Sequence, residues 1–85
     1  MKDIFTVRFC NELEHMVISQ TQLAALVGIS KQCISDFKSG KSYPSIQTLR
    51  DLAVQLNVST DYLLGLEEAD GSRGKDNYGY TEIYE

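Results

Sequence analysis

Apolar positions recur along the chain at helical spacing, and each recurrence is announced by a small polar residue. Phe5, Phe9, Leu13 and Met16 repeat every three or four residues, with Cys10 and Val17 beside them. That period predicts a first helix from about Ile4 to Val17, with Asp3 placed to cap it. The stretch Ile18 to Gly40 then reads as two short helices joined by a tight turn. Ser19 can accept a backbone N–H that has no partner inside the helix, and Gln22, three residues on, completes a capping box. Ile18 and Leu23 flank that cap as a hydrophobic staple, which sets the angle at which the chain enters. Leu23, Ala24, Leu26 and Val27 supply an apolar face. Gly28 stops this second helix, at about residues 20–27, where a left-handed backbone suits glycine.

The same grammar repeats. Ser30 caps a third helix, about 31–39, with Ile29 and Ile34 as its staple, Phe37 as a second anchor and Gly40 at its end. Pro44 keeps Tyr43 out of the helical region. Ser45 caps a fourth helix, Ile46 to about Leu56, whose apolar face is Ile46, Leu49, Leu52, Ala53 and Leu56. Ser59 caps a short fifth helix, with Val58 and Leu63 as staple, Asp61 in its first turn and Gly65 at its end. The pattern is all-α, with five helices in one small domain.

From Glu67 the composition changes to acidic residues, glycine and serine, and this divides the chain into residues 1–66 and a tail, 67–85. In the tail Tyr78, Tyr80 and Glu82 alternate with Gly79, Thr81 and Ile83; both a solvated tail and a short strand fit that pattern. The formal net charge is −4. Its distribution matters more than its total. In residues 1–66, Lys2, Arg8, Lys31, Lys38, Lys41 and Arg50 balance Asp3, Glu12, Glu14, Asp36, Asp51 and Asp61. The whole excess therefore lies in the tail, while Lys31, Lys38 and Lys41 gather on the third helix and the loop after it.

Candidate chemistry narrows the picture further. There is a single histidine, His15, which suits a surface position near the end of the first helix. Cys10 and Cys33 are too few and too far apart for a zinc site or a disulfide framework, and read as small apolar residues. No nucleophile–base arrangement, glycine-rich phosphate loop or metal cluster is legible, so neither an enzyme nor a cofactor is expected. No apolar run is long enough for a membrane span and the N-terminus lacks the apolar region of a signal peptide, so a cytoplasmic place is expected.

Ser19-Gln20-x-x-Leu23-Ala24, Gly28-Ile29-Ser30, Ile34-Ser35, Gly40-Lys41 and Pro44-Ser45, in that order, resemble the XRE-type helix-turn-helix family of Cro and the phage lambda repressor. Asn57-Val58-Ser59-Thr60-Asp61-Tyr62-Leu63-Leu64-Gly65 resembles that family's last helix, and the likeness runs from about Phe5 to Leu66. The resemblance implies a compact lambda-repressor-like domain that binds a double-stranded DNA operator as a homodimer, regulates transcription, and most often represses it. It implies that Lys31, Gln32, Ser35 and Asp36 face the bases. Lysine can donate to guanine, glutamine can pair with adenine, and aspartate can accept from cytosine. Lys31 also suits a phosphate, and Asp36 also suits a solvated helix face. Gln20, Lys38, Lys41, Ser42 and Tyr43 fall where the family grips the DNA backbone. Two positions depart from the family. Lys38 stands where a glutamate is usual, and Leu13 where its arginine partner would be, so Glu12 or Glu14 is a candidate for a pair of reversed polarity. Val17 stands where a glycine is common. The alternative reading is a protein-interaction module, antitoxin-like, whose acidic tail engages a protein partner.

Overall fold

The computed structural model describes residues 3–68, and the expectations placed on the tail beyond Glu68 lie outside them. Five helices follow one another: α1 (Ile4–Glu14), α2 (Gln20–Val27), α3 (Lys31–Ser39), α4 (Ile46–Leu56) and α5 (Thr60–Leu63). Each begins at the predicted cap. The side chains of Asp3, Ser19, Ser30, Ser45 and Ser59 each accept the backbone N–H three residues ahead. At Ser19 the box is complete: Gln22 N–H donates to Ser19 Oγ at 3.1 Å and Ser19 N–H to Gln22 Oε1 at 2.8 Å. Ser19→Ala should therefore cost about 1 kcal/mol of stability. A denaturation midpoint equal to that of the parent protein would contradict it.

Two helices end as expected, on left-handed Gly28 and Gly40, with φ of 80° and 78°. α4 ends on Asn57, also left-handed at φ 58°, a conformation that its short polar side chain tolerates. Gly65, at φ 84°, meets a second constraint: a Cβ there would stand 2.9 Å from Ile4 Cγ2. Only glycine lets the turn after α5 lie this close to the start of α1.

The core gathers one or more residues from every helix: Phe5 and Phe9, Leu23 and Ala24, Ile34 and Phe37, Leu52, Ala53 and Leu56, and Leu63. The Phe9 ring stacks on Phe5 with centroids 5.4 Å apart and meets Phe37 edge-on at 6.2 Å. The three staple residues Ile18, Ile29 and Val58 pack against this cluster, as do Leu13, Met16 and Leu49. Cys10 and Cys33 are free, half-buried thiols, and the exposed His15 presents Nδ1 to the Asn11 carbonyl at 2.7 Å.

Three expectations need correction. α1 stops at Glu14 rather than Val17. Ile18 has to be extended to serve as the staple of α2, so the chain must leave the helix before it, and Val17 is left fully exposed. Leu26 is 59% exposed. At about 100° per residue it lies away from the direction shared by Leu23, Ala24 and Val27. Ile46, assigned to the buried face of α4, is 88% exposed. It is the first residue of its helix, and the buried side of α4 is made further along, at Leu52, Ala53 and Leu56.

A contact with no local signal in the sequence holds the two ends of the fold together. Arg8, on α1, donates through Nη1 to the carbonyls of Tyr62 and Glu67, at 2.5 and 2.6 Å. Its guanidinium lies 4.3 Å from the centre of the Tyr62 ring, and Nη2 reaches the Glu68 carboxylate at 3.1 Å.

Candidate nucleic-acid interface

α2 and α3 are joined by Gly28, Ile29 and Ser30. The turn is short because Gly28 supplies the left-handed residue and Ile29 packs at once against the core. The N–H groups of both Gly28 and Ile29 return to the Ala24 carbonyl, at 2.9 and 3.0 Å. Ser30 then opens α3, its Oγ accepting the Cys33 N–H at 3.2 Å. Ile34 and Phe37 fix α3 from below, and Lys31, Gln32 and Ser35 are exposed on its other side. Asp36 is half-buried and accepts a hydrogen bond from the Gln32 amide at 2.9 Å. All four residues expected to face bases therefore lie on α3, three exposed and one half-buried.

The loop after α3 is pinned to it. The N–H groups of Lys41 and Ser42 both donate to the Asp36 carbonyl, at 3.0 and 3.4 Å. Lys41 is exposed and Lys38 half-buried. None of Lys31, Lys38 and Lys41 is in an ion pair among the described residues. This leaves three ammonium groups on and just after α3 without a described carboxylate partner. The reversed pair suggested for Lys38 with Glu12 or Glu14 is absent among the described residues; the Lys38 carbonyl instead accepts from the Cys10 thiol at 3.4 Å. Gln20 is the first residue of α2 and is half-buried. Its N–H belongs to the helix end that has no intrahelical acceptor.

Tyr43 carries a task that spacing did not reveal. Its hydroxyl donates to the Asp3 carboxylate, and its ring meets Phe5 edge-on at 6.0 Å. The Tyr43 hydroxyl, followed by the Thr6 N–H, holds the Asp3 carboxyl below the usual carboxylate range. The Asp3 carboxylate in turn raises the Tyr43 hydroxyl above the ordinary phenol value. Tyr43 thus ties the loop after α3 to the cap of α1. Asp3 was legible as a cap, because an acidic residue precedes an apolar repeat; its second oxygen's partner, forty positions away, was not.

The helix-turn-helix family model matches residues 13–63. The HTH-type transcriptional activator BcrR of Enterococcus faecalis is 37% identical over 51 residues, which are 60% of this chain and 25% of that protein. An HTH-type transcriptional regulator derived from the SPbeta prophage of Bacillus subtilis strain 168, YonR, is 41% identical over 46 residues, 54% of this chain and 43% of that protein. The matched stretches thus cover less than half of either relative. Among solved structures, the P22 c2 repressor in complex with synthetic operator 9T superposes with a TM-score of 0.68 at 28% identity, covering 74% of this chain and 96% of that one. The residues matched by the family model include α2, the glycine turn and the solvent-facing row on α3. The chain belongs to the helix-turn-helix family.

Proposed function

We propose that the chain is a sequence-specific DNA-binding transcriptional regulator, a repressor, that reads the major groove of an operator with α3. The observation that carries this reading is the two-sidedness of α3. Ile34 and Phe37 hold it from beneath, while Lys31, Gln32 and Ser35 are exposed on the outside. A helix of this width fits the major groove, and its N-terminal residues meet base edges there. The P22 c2 repressor, bound to its synthetic operator, supports the same reading.

In this reading Gln32, Ser35 and Lys31 contact bases, and Gln20, Lys38, Lys41 and Ser42 contact the phosphate backbone. Asp36, hydrogen-bonded to Gln32, belongs to the base-facing set, and Tyr43, hydrogen-bonded to Asp3, to the loop that meets the backbone. Residues 1–66 form the DNA-binding unit and residues 67–85 an acidic tail. The regulator works as a homodimer, because one nine-residue helix covers only one groove face and two copies reach faces about 34 Å apart. The balanced charge of residues 1–66 implies modest non-specific affinity, so selectivity rests on base contacts. A regulator of this kind performs no catalysis and acts in the cytoplasm. No helix among the described residues is long and apolar enough to cross a membrane.

Selection of bound duplexes from a random pool, followed by titration of the selected and random duplexes, tests the reading. One enriched motif with two half-sites is the expected result. Failure to prefer any duplex, together with a stable complex with another protein, would favour the interaction-module alternative. A narrower test concerns the loop. Lys41→Ala should weaken binding to all sequences alike and reduce the slope of log affinity against log salt by about 1 per lost phosphate contact. A changed base preference at an unchanged slope would remove Lys41 from the backbone contacts.

A further inference from the structure

Gln32 and Asp36 stand one turn apart on α3, and the amide nitrogen of Gln32 donates to Asp36 Oδ1 at 2.9 Å. A side-chain amide has two N–H donors on one atom and two lone pairs on the other. An ionised carboxylate only accepts, so it decides which way the amide faces: nitrogen toward Asp36, oxygen away. One N–H is then committed. What remains at the outer end of Gln32 is one donor beside one acceptor.

That remainder matches one base edge in the major groove. Adenine offers an acceptor, N7, next to a donor, the N6 amino group. Guanine offers two acceptors, N7 and O6, and would need both N–H groups of the amide. Cytosine offers a donor alone, and thymine an acceptor beside a methyl group. A glutamine free to turn can present either two donors or a donor–acceptor pair. Gln32 is not free, because Asp36 has taken one donor. The position of Asp36 agrees with this role. It is half-buried one turn along from Gln32, whereas Lys31, Gln32 and Ser35 are all exposed.

We infer that Asp36 is a positioning residue that commits Gln32 to adenine and excludes guanine at the base it faces. The inference rests on the reading of α3 as the major-groove helix, and adds to it the base read at one position and the residue that dictates the choice.

The test uses the full chain and a selected duplex, with every single-base variant of one half-site. The proteins are wild type, Gln32→Ala, Asp36→Ala, Asp36→Asn and the Gln32→Ala/Asp36→Ala double variant. Wild type should prefer adenine at one position, and Gln32→Ala should level that position. Asp36→Ala should lower the preference for adenine over guanine at that same position by roughly tenfold, while preferences elsewhere in the half-site and the salt slope stay as they are. Asp36→Asn should keep much of the preference, since its amide oxygen can still accept from Gln32. The double variant should discriminate no worse than Gln32→Ala alone. Melting curves by circular dichroism confirm that the compared variants are folded. Equal adenine discrimination in Asp36→Ala and wild type would overturn the inference alone. So would a loss at a different base pair, which would mean that Asp36 reads a base directly. A wild-type chain with no preference for any duplex would overturn the functional reading itself, and the inference with it.

Discussion

Phe9→Ala should leave little of the fold standing at 37 °C. Phe9 is completely buried, stacked on Phe5 and edge-on to Phe37, so its ring joins two residues of α1 to the underside of α3. Removing a buried phenylalanine ring costs about 3–5 kcal/mol, because the transfer energy of the ring is lost and a cavity is left behind. Folded domains hold about 0.05–0.15 kcal/mol per residue, or roughly 3–10 kcal/mol for a domain of this size. The loss is thus comparable with the whole stability. Urea unfolding followed by circular dichroism measures it directly. Phe9→Leu, which keeps most of the volume, should lose less than half as much. A loss below about 1 kcal/mol for Phe9→Ala would show that Phe5 and Phe37 close the gap and that the ring is not the joint it resembles.

Arg8→Ala ranks second, at about 2–4 kcal/mol. Hydrogen bonds from a charged donor contribute about 1.5–3 kcal/mol, and Arg8 gives two to carbonyls that lie beyond the start of α5. Its stacking over Tyr62 adds about 0.5–1 kcal/mol. The pair with Glu68 adds little, since that carboxylate is 52% exposed and screened by salt. This divides the effect among its causes. Glu68→Ala should lie within about 0.5 kcal/mol of the parent, Arg8→Lys should recover only part of the loss because lysine lacks the two-pronged geometry, and raising the salt concentration should barely change the Arg8→Ala difference. Thermal melts of the three variants at two salt concentrations decide it. A loss in Glu68→Ala equal to that in Arg8→Ala would assign the stabilisation to the ion pair.

The contrast between these two residues explains how far the sequence could be read. Phe9 was legible because it belongs to a repeat with Phe5 and Leu13, and a repeat is a local property. The caps at Ser19, Ser30, Ser45 and Ser59 were legible for the same reason: donor and acceptor lie three residues apart. Arg8 was not, because its partners are 54 to 60 positions away and nothing beside it marks the contact. The Tyr43 hydroxyl on Asp3 escaped in the same way. Leu26 and Ile46 show a different limit. Hydrophobic pattern gives a face, but in an eight-residue helix or at a first helical position it does not say how wide the covering layer is. The candidate site sits between these cases. The spacing that puts Lys31, Gln32, Ser35 and Asp36 on α3 is local and was readable. The hydrogen bond that joins Gln32 to Asp36 is local too, yet a four-residue separation of an amide and a carboxylate is common on solvated helices, and Gln47 and Asp51 make the same bond on α4; what distinguishes the first pair is its place on α3.

Arg8 and Phe9 are neighbours in one turn of α1, and they face different tasks. Arg8 grips the chain where it departs after α5, and Phe9 seats against Phe37 on the underside of α3. The hold on the chain after α5 and the seat of α3 are therefore adjacent links in one helical turn. One stretch of α1 thus fastens both the departing chain and the helix that carries Lys31 and Gln32.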